Sequence, residues 1–249
     1  GKLSDPANPF ADVIYNNFDS TNKIDNWGLS GQIDYNLGIL KMTSITSYRQ
    51  THAITNQDSD FSSADLLGRN YQDVKFDTFT QELRLNTDWD GPLNVLLGGF
   101  YFNEKVKQSN QLYFGSQFRP YANALIQGAT GGALNVGGLN STDLELIFGG
   151  LEAAAAANPA LQTKYVGQFF KNGTGLTEGY DLKNEAYSLF AQADFEVADK
   201  LTLTGGVSYT HDSKNYSTST VSNEAFSGVN FDDPRYAPFR QQLLYQGGL

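Results

Sequence analysis

His52 and His211 are the only imidazoles in the chain, and each falls near one end of a predicted strand, where a ring nitrogen could bind a metal ion. Catalytic zinc takes about three protein ligands, and neither histidine has a second His or a Cys close in sequence. A solvated or loop-packed ring is therefore the expectation at both. Asp58, Asp60 and Asp65, and the pair Asp232-Asp233, offer the hard oxygens that Ca²⁺ prefers. Their spacing makes no D-x-D-x-D-G loop, so they read as solvated acidic loops. No G-x-S-x-G, H-E-x-x-H or Walker lysine is present, and the glycine-rich stretch 128–138 reads as flexible loop. The expectation is a protein that is not an enzyme, with no catalytic residue, no metal and no cofactor.

Binding chemistry is better represented. Tyr113, Phe118, Arg119 and Tyr121, with Phe114 among them, lie close together in sequence. Rigid aromatics plus a guanidinium can grip an aromatic or anionic ligand at modest entropic cost, which makes these four the ligand-binding candidates. The competing account, which we prefer, has them packing nearby helices or edging a membrane belt. Arg49, Glu82 and Arg84 fall on the polar faces of predicted strands, where they could line a lumen, contact a plug or pair across strands.

The elements that must carry these residues are written in period two. Segment 201–210 places Leu201, Leu203, Gly205, Val207 and Tyr209 on one face and Thr202, Thr204, Gly206, Ser208 and Thr210 on the other. Alternation of this kind suits a strand with one side in lipid and the other in a wet lumen. A three-residue turn, Ala198 to Lys200, joins it to 186–197. Segment 27–35 alternates likewise through Trp27, Leu29, Gly31, Ile33 and Tyr35, and Asn36 and Gly38 supply turn chemistry before 40–55. In 40–55, Leu40, Met42, Thr46 and Tyr48 oppose Lys41, Thr43, Ser47 and Arg49, with Ile45 breaking the pattern. Phe79, Leu83, Leu85 and Trp89 share a face, and a compact turn at 88–92 leads to Leu93, Val95, Leu97, Gly99 and Tyr101. The other face of that last strand carries Leu96, Phe100 and Phe102, which leaves its direction open.

Between 115 and 182 the alternation disappears. Thr142 with Glu145 matches a capping box ahead of an apolar run that ends at Asn158-Pro159, and a second helix is expected over 159–170, closed by Lys171, Asn172 and Gly173. Short turns alternating with long loops are the habit of outer-membrane barrels, whose periplasmic side has little to do. The turns near Asn36, Asp90 and Asp199 are thus expected at the periplasmic end, and the loops around Asp60, Gly149 and Phe231 outside.

Composition agrees with this class. Of 249 residues, 40% are apolar, too many for a disordered chain, yet no run approaches a helical span. Cysteine is absent, which removes disulfides and thiolate sites. A net charge of −10 without a basic stripe excludes nucleic-acid binding as the main activity, because phosphate neutralisation supplies most of that affinity. A passive porin and a secreted β-sandwich adhesin remain open from these features; the sandwich would lack a continuous outward apolar band.

Thr43-Ser44-Ile45-Thr46-Ser47-Tyr48-Arg49, Thr80-Gln81-Glu82-Leu83-Arg84-Leu85, Asp90-Gly91-Pro92-Leu93 and Leu97-Gly98-Gly99-Phe100-Tyr101-Phe102 occur in that order. Together they resemble the barrel strands of TonB-dependent outer-membrane receptors of the iron-complex type, over 27–110 and more loosely over 184–212. The resemblance implies an all-β fold: an antiparallel transmembrane β-barrel wall, about six strands of a barrel of roughly 22, with a long extracellular loop carrying a short helical hairpin. The expected division of 1–249 is a loop (1–26), four strands (27–114), the long loop (115–182), two strands (183–220) and an extracellular loop (221–249). Nothing in 1–26 matches a plug, and both ends look like cuts through a longer protein. As partners the resemblance implies outer-membrane lipid, a transported ligand such as an iron chelate, and the TonB complex reached through a plug segment not in this chain. It implies a location in the bacterial outer membrane and energy-driven import of a scarce nutrient such as a ferric siderophore.

Overall fold

The computed structural model describes residues 14–87, 90–129, 134–136, 139–141, 143–237 and 239–241. Asp88 and Trp89 of the expected second turn, Thr142 of the expected capping box and several residues of the glycine-rich stretch lie outside these. Six strands make one antiparallel sheet: β1 (Thr21–Asn36), β2 (Leu40–Asn56), β3 (Leu67–Thr87), β4 (Leu93–Phe114), β7 (Gly175–Ala198) and β8 (Leu201–Ser222), in the order β1-β2-β3-β4-β7-β8. Such a sheet is consistent with a partial β-barrel wall. Between β4 and β7 the chain leaves to form α1 (Phe118–Ala129), the short ladder β5 (Leu134–Val136) with β6 (Leu139–Ser141), and α2 (Leu144–Ala155).

Register decides which residues share a face. Tyr35, Met42, Leu85, Leu97, Ala191 and Val207 stand opposite one another in a single row across all six strands. This settles the direction of β4: Leu97 joins the apolar face, and Leu96, Phe100 and Phe102 join the opposite one. The apolar face is uncovered, with Leu29 77% and Val207 71% exposed. Among the described residues no second sheet packs on it.

The apolar face forms a sloping band. Its upper edge has one aromatic per strand: Trp27, Tyr48, Phe79, Tyr101, Tyr187 and Tyr209. Ring centroids of neighbouring pairs lie 5.4 Å apart for Trp27–Tyr48, 6.3 Å for Phe79–Tyr101 and 6.4 Å for Tyr187–Tyr209. The row that holds Trp27 on β1 reaches Asn215 on β8, six residues beyond Tyr209. At about 3.3 Å per residue that is a shift of about 20 Å over five strand spacings of about 4.8 Å, hence a slope of about 40°.

The strands run well past the segments that alternate. β7 begins at Gly175 and β8 continues to Ser222, although the expected strands were 186–197 and 201–210. Beyond the band the outward face turns polar, from Asp181 to Glu185 on β7 and from His211 to Ser219 on β8, so its apolar alternation vanishes while the ladder of backbone hydrogen bonds continues. At the short-turn end, Leu37 N donates to Leu40 O at 2.7 Å with Gly38 at φ +79°. The β7–β8 turn places Lys200 at φ +71° beside a bulge at Glu196/Ala198.

Among the described residues, the buried hydrophobic side chains all belong to the cap above the sheet. Leu144, Ile147, Phe148, Leu151 and Phe169 pack with Tyr236 and Phe239 from the segment after β8. Phe148 is the hub, with Phe239 at 4.8 Å and Tyr236 at 5.2 Å. The expected helix over 159–170 is instead a 3₁₀ turn, Pro159–Thr163, followed by irregular turns. Its reason is visible in the hydrogen bonds: the Gly167 and Phe169 amides donate to the Glu145 carboxylate, not to carbonyls one turn back. Helix α1, by contrast, lies in a segment where the sequence offered no periodic signal.

Candidate functional site

Three buried glutamates organise the cap. Glu145, 1% exposed, accepts Gly167 N at 2.6 Å and Phe169 N at 2.7 Å and pairs with Arg119 Nη2 at 2.6 Å. Asp143 caps α2, accepting Glu145 N at 3.0 Å, and also pairs with Arg119 at 3.2 Å. Glu145 therefore does not reach back along its own helix. Glu152 accepts Lys164 Nζ at 2.7 Å, the Tyr236 hydroxyl at 2.7 Å and the Tyr165 hydroxyl. Burial pushes its carboxyl up, but these donors outweigh burial and hold it down at about 2. The same burial and the same carboxylate drive the Tyr236 hydroxyl well above the ordinary phenol range. Glu224 accepts the amides of Phe170 at 2.9 Å, Phe226 at 2.8 Å and Ser227 at 2.8 Å. It thereby fixes Phe170, whose φ is +51°.

The four ligand-binding candidates are not gathered into one grip. Phe118 stacks on Phe114 at 4.2 Å and meets Phe170 at 5.4 Å and Tyr121 at 6.2 Å. Arg119 is held by its two carboxylates, and Tyr113, still on β4, shares a hydrogen bond of 2.8 Å with Thr177 Oγ1. Tyr121 keeps 45% of its surface exposed. The buried glutamates carried one sequence signal: Glu145 and Glu152 stand seven apart in an otherwise apolar helix, hence on one face.

On the polar face of the sheet, Arg84 Nε bonds Glu82 of its own strand. Arg49 stands in one row with Thr78 and Glu104, whose side chains bond each other at 3.1 Å. Arg49, Thr51, Phe76 and Thr80 line an open hollow of about 560 Å³.

The acidic loop before β3 is a turn scaffold. Asp60 accepts Ser62 N at 3.0 Å, Leu66 N at 3.2 Å and Leu67 N at 3.0 Å. Asp65 accepts Ser116 N at 2.8 Å and its hydroxyl at 2.7 Å, which lowers its carboxyl below the usual range, and so ties this loop to the end of β4. His52 Nε2 lies 2.8 Å from Asp73, and His211 lies against Tyr187 at 5.1 Å. No group of three or more His, Asp or Glu among the described residues is placed to hold a metal ion.

No family model and no curated protein match the chain. Among solved structures, the crystal structure of the ferric yersiniabactin uptake receptor FyuA from Yersinia pestis is similar over 82% of this chain, at 14% identity and a TM-score of 0.48. The chain spans 22% of that receptor's length. A likeness of this degree carries no argument about function.

Proposed function

We propose that this sheet is part of the wall of a bacterial outer-membrane barrel, and that the whole protein is an energy-coupled receptor importing a scarce nutrient. The observation that carries the membrane assignment is the sloping apolar band with an aromatic on every strand along its upper edge. Transmembrane barrel strands tilt by about 35–45° and carry aromatic girdles around an apolar band about 25 Å tall. The slope of about 40° in the band is what such a tilt requires: a belt level with the bilayer crosses tilted strands obliquely. Along β8 the outward set from Leu201 to Tyr209 spans about 27 Å of strand, or about 20 Å of bilayer after tilt.

The cap then stands outside, where the strand ends continue beyond the bilayer. It is positioned to meet ligands, and no covalent chemistry is part of the role. Coupling to TonB through a plug, and the ferric-chelate class, rest on the sequence resemblance set out above. Uptake by cells carrying the complete gene tests the coupling: an ionophore that collapses the inner-membrane potential stops import by an active receptor. Import that persists unchanged identifies a passive pore and overturns the coupled reading.

A further inference from the structure

The outward face carries a second belt above the aromatic one. Four residues from Trp27, Tyr48, Phe79, Tyr101 and Tyr187 toward the cap stand Lys23, His52, Lys75, Lys105 and Lys183; only β8, with Ser213, departs from the pattern. Lys and Arg together are 17 of 249 residues, so lysine at four of six positions of one height is more than composition supplies. Four residues are about 13 Å of strand, or about 10 Å of height at the slope found above. We propose that this belt binds the phosphate groups of anionic lipid headgroups in the outer leaflet, with Lys75, Lys105, Lys107 and Lys183 at its centre. The proposal rests on the membrane reading above and adds to it a class of lipid that the wall selects.

Cross-strand register carries the argument. Lys75 stands directly opposite Lys107, and Lys105 directly opposite Lys183. All four side chains are exposed on the outward face. Like charges directly opposite one another destabilise a sheet, and β4 takes part in both pairs within three residues. Nearby carboxylates do not relieve them. Asp77 accepts from the Tyr48 hydroxyl at 3.0 Å and Gln50 Nε2 at 2.7 Å, and Asp73 lies 2.8 Å from His52 Nε2. Glu185 accepts the Tyr101 hydroxyl at 3.0 Å and meets Lys183 at 3.2 Å. Asp181 stands opposite Lys107 in register, yet among the described residues Lys75, Lys105 and Lys107 form no ion pair.

A phosphate oxygen set between the two pairs turns their repulsion into charge-assisted hydrogen bonds, which are about twice as strong as neutral ones. The level fits a lipid source. Aromatic girdles mark the edge of the hydrocarbon, and the headgroup layer adds about 5–8 Å beyond it on each side. Lysine stems lie along apolar surface with the ammonium in the polar layer, so groups rooted about 10 Å above the girdle reach back to headgroup phosphates. The shared four-residue offset on neighbouring strands follows the slope of the girdle, as a belt that meets a flat layer of anions must.

The test titrates the full-length protein in detergent with bisphosphorylated lipid A and reads bound lipid by native mass spectrometry. A basic residue near an anionic surface is worth about a fivefold change in binding. Replacing Lys75, Lys105, Lys107 and Lys183 together by Gln is therefore expected to raise the half-saturating concentration at least tenfold, while replacing the same four by Arg leaves it near the original. Gln at Lys41, Lys171, Lys200 and Lys214, an equal change in net charge elsewhere, leaves it unchanged. Each variant is checked for the folded, heat-modifiable band on a gel, and the two pairs are also replaced separately, so a folding failure is seen as such. Lipid A binding that survives loss of the four lysines, or falls equally in the charge control, overturns the proposal. Inorganic phosphate that displaces lipid A at equal concentration overturns the choice of a lipid source. Flotation with phosphatidylcholine vesicles separates this proposal from the membrane role: a protein that inserts but does not bind lipid A keeps the role and loses the site. One that stays out of the vesicles loses both.

Discussion

Glu152 shows how much one buried side chain can hold. Its carboxylate takes a lysine and a phenol from one stretch, Lys164 and Tyr165, and a second phenol from Tyr236, and is kept ionised down to about pH 2. A carboxyl with a depressed folded pKa contributes stability that is present above its unfolded value of about 4.3 and lost as pH falls toward the folded one. We expect the cap to loosen between about pH 4.3 and 2, losing about 3 kcal/mol of local stability, which limited proteolysis of the cap across that range will read. Glu152→Gln should loosen the cap at neutral pH and flatten this acid-dependent change. Gly149 supplies a second residue-scale prediction, because a Cβ there would overlap the Gln162 carbonyl oxygen. Gly149→Ala should therefore cost about 1–3 kcal/mol, measured by the same proteolysis, without disturbing the sheet.

The elements divide by how local their cause is. Strands β1, β2 and β8 announce themselves because their apolar face is written in period two, and the Gly38 and Lys200 turns obey backbone chemistry within four residues. Their outer halves were invisible for the same reason, since on β8 the outward face from His211 to Ser219 is polar and the strand there is held by partners on β7. Helix α2 was visible from its apolar run and its Asn158-Pro159 stop. The expected helix after it was not formed, because Glu145 claims its amides from another part of the chain. Predictions at this scale concern facing: Leu203→Arg should weaken folding into lipid vesicles by about 2–4 kcal/mol, and Thr204→Arg by much less. Urea titration of both variants in vesicles checks this, and equal losses would reverse the assignment of faces.

At the scale of the whole molecule, the oily face of the sheet is uncovered and the buried hydrophobic side chains lie in the cap, among the described residues. In the function proposed above, bilayer hydrocarbon covers that face along the sloping band. Because the chain has no cysteine, single substitutions give unambiguous labels. Spin labels at Val207→Cys should be relaxed by oxygen dissolved in the lipid, and those at Ser208→Cys by a water-soluble nickel chelate. Equal accessibility to both agents at adjacent residues would contradict a wall that divides lipid from water.

The sequence by itself determined the alternation, the turns and the exclusion of thiol chemistry, because these depend on neighbours a few residues away. Only the tertiary structure decided the direction of β4, the slope of the aromatic edge and the assembly of the cap. Each of those needs partners distant along the chain: Tyr236 reaches Glu152 across 84 positions, and the row from Tyr35 to Val207 exists only once five strand pairs have chosen their register. A period of two says which side chains share a face of one strand; pairing geometry alone says which neighbour each one meets.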